Sequence, residues 1–404
     1  MDQLIIGLVK DLSGGRVDLP QAAAMLAALV LILAFISVNA LFLIWLERKV
    51  SARIQNRVGP MMTGPRFLAN LSMWTGGVFQ TVMDALKLLA KEDVIPAKAD
   101  RFPFVLAPVL VFTVCLAAFV VIPFGPGAAV ADLNIGLLYV VAIPSLTVLS
   151  IVMAGWSSNN KYSLLGGLRS AAQMLSYEIP LLFALMGPMM LAGTLSMQGL
   201  VRAQDQSVWF VVPSFMGAII YYVCAIAEVN RPPFDIPEAE SELVAGYVSE
   251  YSGMKFAMFF LAEFSMMWVG SAVFATVFLG GWLVPFVPWQ TIQTWFPQGH
   301  VLIGIIVFLT KVYIMVFIMM WIRWTFPRVR PDHLMSLGWK VLLPGAFLNL
   351  LVCAVIAMIW QVSRGPAALA ASLLNIATCL AVLVAVHVRS TGQRRLGEGV
   401  GSAP

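Results

Sequence analysis

The chain has 404 residues, 60% of them hydrophobic and only 11% charged, against about 25% charged in ordinary soluble proteins. With a mean hydropathy of +0.89, this composition predicts an integral membrane protein and argues against a soluble enzyme; the lack of strictly alternating segments of roughly ten residues argues against a membrane barrel. The net charge of +5 does not imply nucleic acid, because basic residues in a membrane protein mainly set its orientation.

In chain order, residues 1–21 form a short polar lead-in without an obvious cleavable signal. Apolar runs of about 20 residues, long enough to cross a bilayer, are expected near 22–46, 103–123, 135–156, 171–195, 208–227, 256–284, 301–322, 341–360 and 367–388. The fold class is therefore all-α, with about nine transmembrane helices. Segment 71–91 differs: it is apolar to Met83 and then carries Asp84, Lys87 and Lys91. Their spacing puts all three on one helical face, which predicts a cytoplasmic-side amphipathic helix rather than a tenth span. Charge supports this choice. With the N-terminus outside, twenty of the 25 Lys and Arg face the cytoplasm, Lys10, Arg16, Arg202 and Arg364 lie outside, and Lys311 is within a span. A tenth span would scramble that bias. The C-terminus is then cytoplasmic. The core, 22–360, carries a basic hairpin at 47–101 and an acidic loop at 228–255, and 361–404 adds a last span and tail.

Six carboxylates, Glu228, Asp235, Glu238, Glu240, Glu242 and Glu250, crowd the acidic loop of a chain with only 20 acids. Acid at a membrane boundary is costly unless hydrated, paired or protonated. Proton handling, ion binding and docking to a basic partner all fit such a cluster. Glu178, Glu263 and Lys311 lie within spans, at a cost of about 2.5–3.5 kcal/mol each. Glu178 and Glu263 sit about seven residues into their expected spans, roughly 10 Å deep, and Glu228 ends a span on the same side. They read as a stepped relay; structural ion pairs or helix-contact hydrogen bonds are the alternative. Pro180 follows Glu178 closely and can free a backbone carbonyl there. The run Glu47-Arg48-Lys49 to Gly59-Pro60 either anchors the first span or forms the polar mouth of a cavity. Cys115, Cys224, Cys353 and Cys379 are dispersed, so no disulfide framework, zinc or iron–sulfur site is supported. No glycine-rich nucleotide fingerprint exists either. Electrons for any redox chemistry must come from a partner.

Together these motifs resemble one family. They are Glu47-Arg48-Lys49…Arg53-Ile54-Gln55…Arg57…Gly59-Pro60, Asp84-Ala85-Leu86-Lys87, Lys91-Glu92-Asp93, Gly155-Trp156-Ser157-Ser158-Asn159 and Ser176-Tyr177-Glu178. To these add Glu228-Val-Asn-Arg231-Pro-Pro-Phe-Asp235, Ser241-Glu-Leu-Val-Ala-Gly246, Ala262-Glu263 and Arg328-Val-Arg330-Pro-Asp332. The chain is similar over roughly 22–360 to the H-subunit family of bacterial proton-pumping NADH:quinone oxidoreductase, counterpart of mitochondrial complex I subunit 1. The resemblance implies a bacterial inner-membrane subunit that forms the ubiquinone or menaquinone chamber, anchors the peripheral arm and couples quinone reduction to proton translocation. It implies Glu47, Arg48, Arg53, Asp84, Arg231 and Asp235 at the quinone passage. It further implies Glu178, Glu228, Glu238, Glu240, Glu242, Glu250, Glu263 and Lys311 in relay or coupling. FMN and iron–sulfur clusters would be carried by partner subunits, and small membrane subunits would lead on to antiporter-like ones. No catalysis is expected of the isolated chain. Between Gly64-Pro65 and Asp84 the chain is about ten residues longer than the family pattern. A cation-coupled transporter, a purely structural anchor and a membrane-hydrogenase subunit are the competing readings; the first should show an inverted repeat.

Overall fold

The computed structural model describes residues 18–61, 76–236, 243–285, 287–297, 299–362, 373 and 375–381, and among these it contains helices and no strand. The helices are α1 (Asp18–Ile54), α2 (Phe79–Ala90), α3 (Arg101–Phe119), α4 (Gly136–Ser157), α5 (Lys161–Ala192), α6 (Met197–Gln206) and α7 (Phe215–Glu228). They continue with α8 (Gly253–Phe278), α9 (Trp289–Trp295), α10 (His300–Thr325), α11 (Pro331–Leu337) and α12 (Leu343–Val362). A π-helical turn, Gly338–Leu342, joins the last two.

Seven helical stretches are long and apolar enough to cross a membrane: Leu26–Ile54, Arg101–Phe119, Gly136–Ser157, Lys161–Ala192, Gly253–Phe278, His300–Thr325 and Pro331–Trp360. The expected all-helical membrane class is therefore present, but the count of nine is not established. The expected span 208–227 is shorter: α7 has 14 residues, about 21 Å against a hydrocarbon core of about 30 Å. Turns occupy the stretch before it, where Val211 N bonds the end of α8 through Phe278 O. Of the expected span 367–388, only 373 and 375–381 lie among the described residues. α5 starts ten residues before the expected 171, and runs through Pro180 and Pro188 without a break. The amphipathic helix is α2, with 71–75 outside the described residues.

Aromatic packing centres on Trp268 of α8, which is fully buried. Its ring stacks on Phe119 at 5.1 Å and meets Phe35, Phe124 and Phe308. Burial of such rings supplies specific geometry as well as apolar area. α4 and α5 pack closely at small residues, as helices in lipid tend to. A Cβ on Gly155 would lie 2.8 Å from Ser163 O, and one on Gly166 would lie 2.7 Å from Gly246 Cα. The latter contact seats the 3-10 turn Gly246–Val248, the end of the acidic loop, against α5. Gly166→Val should therefore lift this turn at a cost of about 1–3 kcal/mol. A lowered midpoint of thermal unfolding in detergent is the expected result, and an unchanged one would show that the turn yields freely.

Candidate functional site

A cavity of about 700 Å³ opens between α1, α2, α8 and the end of α10. Its α1 wall carries Ala40, Leu41 and Ile44, then Glu47, Arg48 and Ser51. This spacing keeps an apolar stripe and a polar patch on one helical face. α2 adds Thr81, Asp84, Ala85 and Leu88, and α8 adds Ala257, Phe260, Leu261 and Phe264. The cavity is thus apolar along its body and charged at one end.

The charged end is built around Arg231, which is 4% exposed. Its Nη1 donates to Glu47 Oε2 at 2.7 Å, and its Nε donates to Glu263 Oε1 at 2.6 Å. Arg323, at the end of α10, donates to the other Glu47 oxygen. The Arg231 guanidinium also lies 4.2 Å from the centroid of the Phe264 ring, a cation–π distance. Burial by itself would lower the Arg231 pKa, but the charges of Glu47 and Glu263 outweigh it and hold the group above its ordinary value. Two arginines and two carboxylates make a formally neutral cluster, which is how charge is tolerated at such burial. Arg231 Nη2 is buried and has no hydrogen-bond partner among the described residues.

At the rim of the cavity, Arg48 Nη1 pairs with Asp84 Oδ2 at 2.5 Å, and Gln80 Nε2 donates to Asp84 Oδ1 at 3.1 Å. The hairpin is tied to the segment before α2 as well. Trp45 Nε1 donates to Gly76 O, and Lys49 Nζ donates to Pro60 O, both at 3.1 Å. Gly77 has φ +82°, and a Cβ there would fall 2.1 Å from Pro60 O, so this close approach requires glycine.

A second, smaller chamber of about 80 Å³ lies beside the first. Glu178 of α5, Glu228 of α7 and Glu263 of α8 line it, with Thr147 and Tyr221. Glu263 is shared: it faces this chamber and bonds Arg231, which lines the large cavity. The turn after α7 is held by Gln173, whose Nε2 donates to Ala227 O at 2.8 Å and Phe234 O at 2.7 Å. Asn230 Nδ2 donates to Ser170 Oγ at 2.8 Å.

Of the residues expected at the passage, Glu47, Arg48, Asp84 and Arg231 therefore line one cavity. Arg53 is exposed at the end of α1, and half-buried Asp235 lines neither cavity. Of the expected relay residues, Glu178, Glu228 and Glu263 meet in one chamber. Glu250 instead accepts from Asn160 Nδ2 at 2.7 Å, at the turn between α4 and α5. Glu238, Glu240 and Glu242 lie outside the described residues. Lys311 is about 24 Å of helix rise from Glu263, at the far end of α8. Its Nζ donates to Leu279 O, Gly281 O and Leu283 O at 2.6, 3.0 and 2.6 Å, and lies 4.3 Å from the Trp209 ring. All three ammonium donors are thereby used on backbone carbonyls. Sequence reasoning missed Arg323, which reads as an ordinary interfacial anchor, and Gln173, a polar residue in an apolar run.

Residues 27–354 match a family model described as NADH dehydrogenase. The NADH-quinone oxidoreductase H subunit of Carboxydothermus hydrogenoformans is 47% identical over 328 residues, covering 81% of this chain and 87% of its own. The protein of the same name from Anaeromyxobacter dehalogenans is 44% identical over 376 residues, covering 88% of each chain. NADH-quinone oxidoreductase subunit 8 of Rhodothermus marinus is 45% identical over 338 residues, covering 80% of this chain and 96% of its own.

Proposed function

The chain belongs to the H-subunit family of NADH-quinone oxidoreductase, a membrane subunit of complex I, and from this premise we propose that its large cavity is the quinone chamber and its small one the start of proton coupling. Membership makes it a multi-pass bacterial membrane protein whose partners are other complex I subunits; the N-out orientation and the peripheral arm's seat on the cytoplasmic hairpin and acidic loop belong to the proposal. So do FMN and iron–sulfur clusters in partner subunits as the source of electrons.

The observation that carries this reading is the shared Glu263. An isoprenoid tail needs an apolar passage, and each buried CH₂ contributes about 0.8 kcal/mol; the body of the cavity supplies that wall. The headgroup needs hydrogen-bond donors at the far end, and Arg231 supplies a cationic one. Reduction of the quinone consumes two electrons, delivered by the partner, and two protons. Before those protons are replaced, the added negative charge near Arg231 competes with Glu263 for the guanidinium. Glu263, released from its partner, gains proton affinity and takes a proton from Glu228 or Glu178 across the small chamber, leaving that carboxylate to be reprotonated in turn. The arginine thus converts a charge change in one cavity into a proton affinity change in the other. Asp84 and Arg48 guard the entrance, and Lys311 fixes the outer end of α8 while its inner end responds.

The test is a dependence on tail length. Ala85→Trp fills the apolar body next to Asp84. It is expected to raise KM for a long-tailed quinone by about tenfold, as one mis-sized apolar contact is worth about 1–3 kcal/mol, and to leave a short-tailed analogue within about twofold. Equal KM values for both quinones in wild type and variant would remove this cavity as the passage.

A further inference from the structure

α7 is too short to cross the apolar layer. Its last residue, Glu228, lines the small chamber, and its first turn, with Ser214, Met216 and Gly217, is buried within the protein, away from water. The first amides of a helix have no partner within it, and when buried each must find one elsewhere. Two other helical segments provide them. Asn375 Oδ1 accepts from Met216 N at 3.0 Å, and Asn349 Oδ1 accepts from Gly217 N at 3.1 Å. Asn375 Nδ2 donates to Asn349 Oδ1 at 3.0 Å, which locks the two caps together. Both asparagines are fully buried. The fit is close: a Cβ on Gly217 would lie 2.7 Å from Asn349 Nδ2. At the opposite end, Gln173 holds the Ala227 carbonyl. Between the ends, Tyr221 and Tyr222 bond Gly270 O and Met315 O. Asn375 belongs to the C-terminal stretch beyond residue 354, where the family match stops.

We propose that Asn375 is a positioning residue for Glu228: by capping the buried start of α7, the C-terminal segment sets how far that helix reaches into the chamber of Glu178 and Glu263. The inference rests on the coupling role given to that chamber above. Asparagine suits the place because one amide offers both an acceptor for Met216 N–H and a donor for Asn349. Leucine offers neither. It leaves the amide unpaired in an apolar setting, and α7 relaxes along its axis. Aspartic acid in its protonated form presents the same acceptor and donor, so it restores the cap.

The experiment uses the intact complex in proteoliposomes and reads protons moved per NADH oxidised. Wild type, Asn375→Leu, Asn375→Asp and Glu228→Gln are compared. Asn375→Leu is expected to lower the ratio about twofold or more, the order set by losing one cap, with quinone reduction close to wild type. Asn375→Asp is expected to return the ratio to the wild-type value. A normal ratio in Asn375→Leu, beside a lowered one in Glu228→Gln, overturns the positioning role. A normal ratio in Glu228→Gln overturns the coupling reading itself. Should Asn375→Leu fail to assemble, Asn375→Ser, too short to reach both partners, is read in the same assay. A lowered ratio then supports the role and a normal one overturns it.

Discussion

Arg231→Leu is expected to lower NADH-driven quinone reduction by roughly 100-fold or more. The residue bonds Glu47 and Glu263 at once, and removing one member of a buried charge group costs about 3–5 kcal/mol. At about 1.36 kcal/mol per tenfold, that is at least two decades in rate if the loss falls on the reacting state. Glu47 keeps Arg323 as a partner, so the stranded charge is mainly Glu263. Adding Glu263→Gln should therefore recover assembly lost in Arg231→Leu but not its activity, because the headgroup donor stays absent. Arg231→Lys keeps the cation without the fork that spans two carboxylates, and its rate should fall between those of wild type and Arg231→Leu. Transfer of electrons from NADH to a water-soluble acceptor, which does not need the membrane cavity, serves as the control for an intact peripheral arm. Wild-type quinone reduction by assembled Arg231→Leu enzyme would place the headgroup elsewhere.

Glu228→Gln is expected to separate the two halves of the reaction. The side chain ends α7 and lines the chamber with Glu178 and Glu263. The amide keeps its size but cannot carry a proton. Loss of a positioned acid–base group typically costs about 10²–10⁴ in the step it serves, so pumping should fall about tenfold or more while electron transfer persists. Both are measured together in reconstituted complex. Loss of both activities with normal assembly would move Glu228 into the quinone chemistry. Normal pumping would leave the acidic segment as a docking surface.

Much of this architecture is legible in the sequence, and the limits have physical causes. Long apolar runs announce themselves by composition, so the seven long helices are visible there. The run Val208 to Val212 is equally apolar, but Pro213 ends it and Val211 N is spent on the end of α8. Hydropathy cannot distinguish a buried turn from a span. Glu178, Glu263 and Lys311 stand out because charge in an apolar run is expensive. Their partners are another matter: Glu47 and Arg231 are 184 residues apart, and Lys311 spends its donors on carbonyls that every residue possesses. Arg323 has the address of a routine interfacial anchor, and only the packing of α10 against α1 reveals its bond to Glu47.

One carboxylate, Glu263, is a wall of the small chamber and a ligand of the arginine that lines the large cavity. With quinone in the large cavity, as proposed, any free energy by which it alters the protonation of Glu263 must equal that by which protonation alters its affinity. A protonmotive force that shifts the protonation of Glu263 would then change quinone binding through that same coupling. Under the proposed function, back-pressure would act on substrate occupancy as well as on the speed of turnover.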